Sequence, residues 1–173
     1  MKESIIVAID GRCAAGKSTL SRELAKKYDC NVFHMDDFFL RPEQRSAERL
    51  SHPGENIDHE RFLEEILLPL CEGREVYFRR YDCQKEQLGD TFRMPKKKMN
   101  IIEGVYCFHP SLIKYYDYKI FYDIDKELQI ERILHRNTPE MAQRFFAEWI
   151  PLEEKYFEEL KIREKADYIL RSK

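Results

Sequence analysis

The sequence lacks the features that most often identify a metal, redox or membrane protein. Its five cysteines form no C-x-x-C pair or zinc-type spacing, and its five histidines form no H-x-x-x-H pair. We find no signal-peptide pattern and no apolar run long enough to span a bilayer. A formal net charge of −2 argues against a general nucleic-acid binder. We therefore predict a cytoplasmic protein with reduced thiols that binds neither membranes nor nucleic acid.

The composition is typical of a folded domain. Hydrophobic residues make up 43% of the 173 residues and charged residues 36%, so the chain is too apolar and too mixed in charge to resemble a disordered one. We find no internal repeat, low-complexity segment or interdomain linker. The sequence thus predicts one domain over residues 1–173, and it makes no prediction of the oligomeric state.

The most informative stretch is IIVAIDGRCAAGKST at residues 5–19. Gly11, Gly16, Lys17 and Ser18 match G-x-x-x-x-G-K-[ST], the pattern of a phosphate-binding loop. An apolar strand precedes the loop and an amphipathic helix follows it, which makes a chance match improbable. In this pattern, loop amides and the helix N-terminus bind phosphates, the lysine contacts the outer phosphates, and the serine hydroxyl contacts Mg²⁺.

We therefore predict a site for ATP and Mg²⁺ in this loop. The residues expected to bind the nucleotide are Gly11, Arg12, Cys13, Ala14, Ala15, Gly16, Lys17, Ser18 and Thr19. Mg²⁺ bound with the nucleotide is the only metal that the sequence predicts.

The rest of the chain alternates between predicted strands and helices. Strands are predicted near residues 31–34, 99–103, 118–124 and 168–170, and helices over 17–28, 59–68 and 126–136. This order predicts βα units and a parallel sheet. Residues 41–55 are expected to form a loop, and residues 75–80 and 91–94 the arms of a hairpin with a turn at Gly89–Asp90. Pro151 should kink or restart a C-terminal helix, and the aromatic row around Trp149 is expected in the core.

Three acids follow predicted strands. Asp36 and Asp37 come directly after the second strand, and because side chains alternate along an extended segment we expect only one to face the site. That acid is expected to accept a substrate proton or bind a water on Mg²⁺, the alternative being a turn or capping acid. Glu103 ends a strand where P-loop proteins place a metal-binding acid, the alternative being a solvated strand end.

Arg132 and Arg136 lie four residues apart on one predicted helical face, and Arg144 follows in the next segment. Arginines on a movable element can clamp the transferred phosphoryl group. Spacing alone favours a solvated face, because the same helix carries Glu127 and Glu131.

Several motifs, in this order, resemble the uridine kinase-like branch of P-loop kinases. This branch includes uridine–cytidine kinases, nicotinamide riboside kinases, phosphoribulokinase and bacterial pantothenate kinase. The resemblance covers nearly the whole chain and rests on DGRCAAGKST, MDDFF (35–39), NIDH (56–59), RYD (80–82), IIEG (101–104), the ordered arginines and EWIPLEEKYF (148–157).

The resemblance implies a three-layer α/β/α P-loop kinase fold with a mainly parallel sheet. It also implies a small substrate hairpin at about residues 75–95 and a helical lid at about residues 132–148. The implied activity is ATP-dependent phosphorylation of a hydroxyl on a small, nucleoside-like molecule.

The resemblance also implies roles for individual residues. Asp36 is similar to the family's catalytic base for a sugar 5′-hydroxyl, and Phe39 and Tyr81 to walls of the nucleoside pocket. Asp58, a predicted helix N-cap, is similar to the acid that binds ribose hydroxyls. The resemblance makes Arg132 and Arg136 lid arginines that act in catalysis together with Lys17. Glu103 is expected to lie beside the substrate and, together with Ser18, to bind the metal.

The identity of the acceptor stays open. Uridine–cytidine kinases usually carry a histidine shortly after the tyrosine–aspartate pair, where this chain has CQKE at residues 83–86. Uridine or cytidine therefore competes with nicotinamide riboside and with non-nucleoside metabolites. A regulatory ATPase without an acceptor and an inactive scaffold are the alternatives to a kinase.

Overall fold

The computed structural model describes residues 4–173 and contains seven strands. They are β1 (Ile5–Asp10), β2 (Cys30–His34), β3 (Val76–Asp82), β4 (Gln87–Met94), β5 (Met99–Glu103), β6 (Tyr118–Asp123) and β7 (Tyr168–Arg171). Five of them form an all-parallel sheet in the order β2-β5-β1-β6-β7. The predicted α/β fold with a mainly parallel sheet is confirmed.

Seven α-helical segments connect and cover the strands. They are α1 (Lys17–Lys27), α2 (Ala47–Ser51), α3 (His59–Phe62), α4 (Leu68–Cys71), α5 (Lys126–Arg136), α6 (Pro139–Arg144) and α7 (Ile150–Glu159). No helix in the described part of the chain is both long and apolar enough to cross a bilayer.

Apolar side chains cover both faces of the sheet because successive residues of a strand point to opposite sides. On one face, Ile9 and Ile101 pack against Leu20 and Leu24 of α1. On the other, β1 contributes Ile6 and Ala8 to a larger core whose fully buried members include Phe33, Phe38, Phe62, Phe108, Phe121 and Tyr156. The sheet therefore lies between two helical layers.

The strand register brings polar residues together at one edge of the sheet. Glu103 at the end of β5 lies opposite both Ile9 of β1 and His34 of β2. Because these strands are parallel, the segments that follow β1, β2 and β5 leave the sheet side by side. Ligands of open parallel sheets bind at this carboxyl edge.

The hairpin β3–β4 forms a separate two-stranded antiparallel sheet. Its turn lies at residues 83–86, so the expected turn at Gly89–Asp90 is wrong. The Asp82 carboxylate accepts hydrogen bonds from the amides of Gln84 and Lys85, at 2.9 and 3.1 Å, which stabilises the turn at the earlier place. Val76 and Phe78 anchor β3 in the core.

The segment at residues 41–55 is more regular than expected. It contains a 3₁₀ turn at Pro42–Gln44 and the short helix α2. The Ser46 hydroxyl caps α2 by accepting a hydrogen bond from the Arg49 amide at 3.1 Å.

Two prolines occur inside helical stretches without ending them. Pro69 follows a π-helical segment at Leu63–Leu67, and Pro151 follows another at Phe145–Trp149. Proline has no amide hydrogen and its ring crowds the preceding turn, and a wider π turn removes part of that conflict. The helix predicted at 59–68 therefore continues to Cys71, and Pro151 is the second residue of α7.

A buried carboxylate holds the end of β1 in place. Asp10 is fully buried and accepts hydrogen bonds from the Gly11 amide at 2.7 Å, the Phe108 amide at 2.8 Å and the Tyr156 hydroxyl at 2.8 Å. Burial raises the pKa of Asp10 to about 6, although these hydrogen bonds favour the charged form. The three donors connect the phosphate loop to the segment after β5 and to α7.

Gly11 is required by packing. It has a φ of 138°, and a Cβ at this position would lie 2.1 Å from the backbone oxygen of Tyr122 in β6. The backbone at Gly11 thus passes so close to β6 that the space between them holds no side chain.

We predict that Gly11→Ala destabilises the fold by at least about 2 kcal/mol, because backbone strain adds to a backbone clash. Urea unfolding followed by circular dichroism measures the change. The control is Gly89→Ala, where the added Cβ would lie 3.5 Å from the Arg80 oxygen and stability should change by less than about 0.5 kcal/mol. Equal stability of the two variants would contradict the packing argument.

Candidate active site

A cavity of about 1680 Å³ opens at the carboxyl edge of the sheet. Its wall includes part of the phosphate loop, the segment after β2, the hairpin turn, the end of β5 and residues from α5 to α7. Of the predicted site residues, those that line it are residues 13–19, Asp36, Phe39, Glu103, Arg132 and Arg136. Gly11, Arg12, Asp58 and Tyr81 are not part of the lining.

The phosphate loop presents backbone amides to this cavity. Gly16 has a φ of 100° and provides no side-chain cap for α1, and the first intrahelical hydrogen bond runs from Leu20 N to Gly16 O. The amides of the first turn therefore lack helical acceptors and suit an anion.

Lys17 is buried beneath the loop. Its ammonium donates hydrogen bonds to the backbone oxygens of Gly11, at 2.7 Å, and Arg12, at 2.8 Å. An ammonium has three hydrogens, so one donor remains for a phosphate oxygen. The donors and the open space beside them fit the triphosphate of a nucleotide.

The Arg12 side chain lies outside the cavity. Its guanidinium pairs with Glu154 at 2.7 Å and with Asp123 at 2.5 Å, and it lies over the Phe157 ring. These contacts attach the loop to β6 and α7. The Arg12 side chain therefore stabilises the fold around the loop and does not face the cavity.

Asp36 and Asp37 point to different places, but from a 3₁₀ turn at Met35–Phe38 and not from an extended segment. Asp36 is exposed to the cavity, with protein surrounding its other sides. Removal from water raises its pKa, and the opposing charge of Lys17 only partly offsets this. Asp37 pairs with Arg80 at 3.2 Å.

Glu103 lies between Ser18 and His34. Its Oε1 is 2.5 Å from His34 Nδ1, and the Ser18 side chain lies close to the same carboxylate. Burial alone would raise the pKa of Glu103, but the hydrogen bond and charge of His34, with Lys17 and Ser18, lower it. The same hydrogen bond raises the pKa of His34. A carboxylate beside a loop serine is a donor set that suits Mg²⁺.

The predicted lid comprises the end of α5, α6 and the π-helical segment after it. Arg132 donates to the backbone oxygen of Ala14 at 3.0 Å, and to Ser172 Oγ at 2.7 Å. Arg136 lies over the Phe145 ring at 5.3 Å. Arg132 thus contacts the phosphate loop directly, whereas Arg136 borders the same cavity.

The expectation that Trp149 belongs to the core is wrong. Trp149 is half-buried on the cavity wall, packed edge-on against Phe145 with ring centroids 4.5 Å apart. The π-helical turn that contains both residues changes their facing relative to a regular helix, which periodicity could not predict.

Asp58 and Tyr81 lie behind the acceptor side of the cavity. Asp58 is 2% exposed and caps α3 by accepting the Arg61 amide at 3.1 Å, and its Oδ2 has no hydrogen-bond partner in the described structure. Tyr81 is buried, and its hydroxyl accepts a hydrogen bond from Arg45 at 3.0 Å. Their predicted substrate contacts stay predictions.

Sequence reasoning missed Glu153. This buried residue of α7 accepts a hydrogen bond from the Cys13 amide of the phosphate loop at 3.0 Å. Burial raises the pKa of Glu153 to about 7, although Lys17 and the Cys13 amide favour its charged form. The signal was the pair of acids within EEKYF, but only the fold brings it to a loop 140 residues away.

Cys13 is present in the cavity wall as a buried thiol. Burial raises its pKa to about 12, and the Gln129 amide nitrogen lies 3.2 Å from its sulfur. The thiol is therefore uncharged at neutral pH. The backbone of Cys13 is also occupied, since its amide donates to Glu153 and its oxygen accepts from Gln129 at 3.1 Å.

The arrangement meets the requirements of phosphoryl transfer. It has a cationic phosphate cradle, a serine and a glutamate of the kind that can hold Mg²⁺, and an accessible carboxylate on the same cavity. When bound, MgATP supplies the phosphoryl group and neutralises charge on the phosphates.

Comparison with known proteins agrees with this arrangement. The Phosphoribulokinase / Uridine kinase family model matches residues 6–144. The chain belongs to this family. Membership supports ATP-dependent phosphoryl transfer to a small molecule.

Relatives of this family member include uridine kinases. Those of Clostridium perfringens and Staphylococcus aureus are each 27% identical over 153 residues, covering 83% of this chain and 73% of theirs.

Solved structures show the same fold. A possible uridine kinase from Bacillus stearothermophilus has a TM-score of 0.74 at 20% identity, covering 98% of this chain and 90% of its own. Phosphoribulokinase from Rhodobacter spheroides has a TM-score of 0.64 at 16% identity, covering 99% and 71%.

We predict that His34 titrates above its usual value of 6.5 in the folded protein and that Glu103→Gln lowers its pKa. Because folding raises the His34 pKa, protonation of His34 beside Glu103 stabilises the folded protein. This contribution to the free energy of unfolding is fully present below pH 6.5, the usual pKa of histidine, and is lost as the pH rises through the pKa of His34 in the folded protein. Histidine NMR titration of both proteins measures the shift. An unchanged His34 pKa in the variant would show that Glu103 is not its cause.

We predict that Glu153→Gln becomes more stable relative to the parent as the pH rises. The Glu153 pKa is raised from 4.5 to about 7, so the parent loses stability as the pH rises between these values. The loss in free energy of unfolding is at most on the order of 3 kcal/mol. Urea unfolding at pH values below and above this window measures the difference.

The matched control is Glu154→Gln, which removes an ion pair with Arg12 next door. This variant should be slightly less stable than the parent, and its stability relative to the parent should not increase as the pH rises. A Glu153→Gln variant with the parent's pH dependence would contradict the buried titration.

Proposed function

We propose that this protein is an ATP-dependent kinase that phosphorylates a hydroxyl of a small molecule, with the 5′-hydroxyl of a uridine- or cytidine-like nucleoside as first candidate. The observation that carries the proposal is the single cavity shared by the phosphate loop, Glu103 and the accessible carboxylate of Asp36. A regulatory ATPase needs no carboxylate in that position.

The proposed roles follow from the contacts. Loop amides and Lys17 bind the phosphates, and Ser18 with Glu103 holds Mg²⁺. Asp36 accepts the proton of the acceptor hydroxyl, and its raised pKa makes it a stronger base than an ordinary aspartate. Arg132 and Arg136 stabilise charge on the transferred group from the lid.

The acceptor is proposed to lie between Asp36 and the hairpin turn. Phe39, Arg45 and Asn56 line that part of the wall, together with Cys83, Gln84 and Glu86 of the turn. Phe39 offers a ring for a base to pack on, and Asn56 and Gln84 offer amide hydrogen bonds. Asp58 and Tyr81 are proposed to support this wall and to bind substrate after a local rearrangement.

A second candidate acceptor is nicotinamide riboside or another non-pyrimidine metabolite. In uridine–cytidine kinases a histidine near this turn usually contacts the pyrimidine edge. Here the hairpin turn offers a thiol, an amide and a carboxylate instead. Relatives named uridine kinase favour the first candidate, and the turn favours the second. A cytoplasmic location is proposed from the cysteine usage of the sequence.

The decisive experiment is a phosphorylation screen with MgATP. Nucleosides, nicotinamide riboside and sugar or acid alcohols are incubated with the protein, and phosphorylated products are read by mass spectrometry. We expect one nucleoside-like compound to gain a single phosphate and to raise ATP turnover. Turnover that no acceptor raises would favour the regulatory ATPase.

We predict that Asp36→Asn lowers kcat by at least about 10²-fold with little change in ATP affinity, because a general base and its positioning are both lost. Calorimetry with MgATP and steady-state kinetics separate the two quantities. Asp37→Asn is the matched control, since Asp37 faces Arg80 outside the cavity, and its kcat should fall much less. Equal losses in the two variants would remove Asp36 from the proposed role.

A further inference from the structure

The backbone of one phosphate-loop residue, Cys13, is held from two sides. Its amide donates a hydrogen bond to Oε2 of Glu153 in α7 at 3.0 Å, and its backbone oxygen accepts one from the side-chain amide of Gln129 in α5 at 3.1 Å. Glu153 is 5% exposed and Gln129 is 3% exposed. Water therefore cannot readily replace either hydrogen bond if its side chain is removed.

The residue that follows Cys13 gives these contacts a purpose. Ala14 has a φ of 61°, a left-handed conformation that is unfavourable for a residue with a Cβ. Such a conformation persists where the surrounding structure holds it. The Cys13 oxygen belongs to the peptide group directly before Ala14, and the Cys13 amide belongs to the peptide group before that. The two contacts therefore hold the backbone that leads into the strained residue.

The same contacts attach the predicted lid to the phosphate loop. Residues 132–148 lie between Gln129 and Glu153 in the chain, so both ends of this segment are connected to Cys13. The helical structure runs without a break from α6 through the π-helical segment into α7. The Glu153 contact thus lies where the segment after the lid meets the phosphate loop.

Two adjacent acids of α7 hold the loop in different ways. Glu153 lines the nucleotide cavity and binds the backbone of Cys13. Glu154 is not part of the lining, and it pairs with the Arg12 side chain at 2.7 Å. Only the Glu153 contact therefore acts directly on the loop backbone beside the cavity.

We infer that Glu153 is a positioning residue for nucleotide binding. Its hydrogen bond with the Cys13 amide holds the phosphate loop in the conformation that receives the triphosphate. Glu153 acts through the loop backbone, and the phosphates are bound by Lys17 and by the amides of the first turn of α1. The inference rests on the proposed function, because the role requires a nucleotide in the cavity.

The test is calorimetric titration with MgATP of the parent, Glu153→Leu and Glu153→Gln. Leucine is close to glutamate in size but cannot accept a hydrogen bond, whereas glutamine keeps a side-chain oxygen for the Cys13 amide. We expect Glu153→Leu to weaken MgATP binding at least about fivefold and Glu153→Gln to bind within about twofold of the parent. Circular dichroism at the titration temperature checks that each variant is folded, since a purely structural role would leave the affinity of the folded protein unchanged.

A second variant, Gln129→Leu, removes the hydrogen bond on the other side of Cys13. It should also weaken MgATP binding, and its affinity decides the test if Glu153→Leu does not fold. The matched control is Glu154→Gln, which alters the neighbouring acid outside the cavity. Its affinity for MgATP should stay within about twofold of the parent.

Three results would overturn the inference while the proposed function stands. They are parental affinity in the folded leucine variants, a loss in Glu153→Gln as large as in Glu153→Leu, and an equal loss in Glu154→Gln. A parent protein that binds no MgATP would overturn the proposed function, and the inference with it.

Discussion

The buried carboxylate of Asp10 is the contact on which the site depends. It receives hydrogen bonds from the phosphate loop, from the segment after β5 and from α7, and together these define the floor of the cavity. An unpaired buried carboxylate would be costly, so the three donors must stay in place in the folded protein. The arrangement therefore fixes the phosphate loop, which carries Lys17, against the segment that follows Glu103.

Electrostatic balance is the second constraint. Asp36, Glu103 and Glu153 all come close enough to Lys17 for its charge to influence their pKa values. Burial pushes all three carboxyls towards the neutral form, and the ammonium of Lys17 opposes that shift. His34 is hydrogen-bonded to Glu103 and can bind a proton. A protonated His34 therefore offsets the negative charge of Glu103 at the proposed Mg²⁺ position.

The parts of the site that are local in sequence could be predicted, and those made by distant contacts could not. The phosphate loop follows from glycine, lysine and serine at set spacing, and the parallel sheet from alternating strands and helices. Glu153 reaches the loop from 140 residues away, and Gln129 reaches it from 116, so no local pattern reveals either contact. Trp149 was misplaced for a different reason, because it ends a π-helical segment at Phe145–Trp149 whose period differs from the 3.6 residues assumed for a regular helix.

The hairpin has a consequence for how this protein could change over time. Within residues 4–173 its strands pair only with each other, and its base is held by apolar side chains in the core, whereas its four-residue turn borders the cavity. Replacing Cys83, Gln84 or Glu86 would alter the surface that meets an acceptor without disturbing the parallel sheet. Selectivity can therefore diverge among descendants of this sequence while the phosphate-binding half is preserved unchanged.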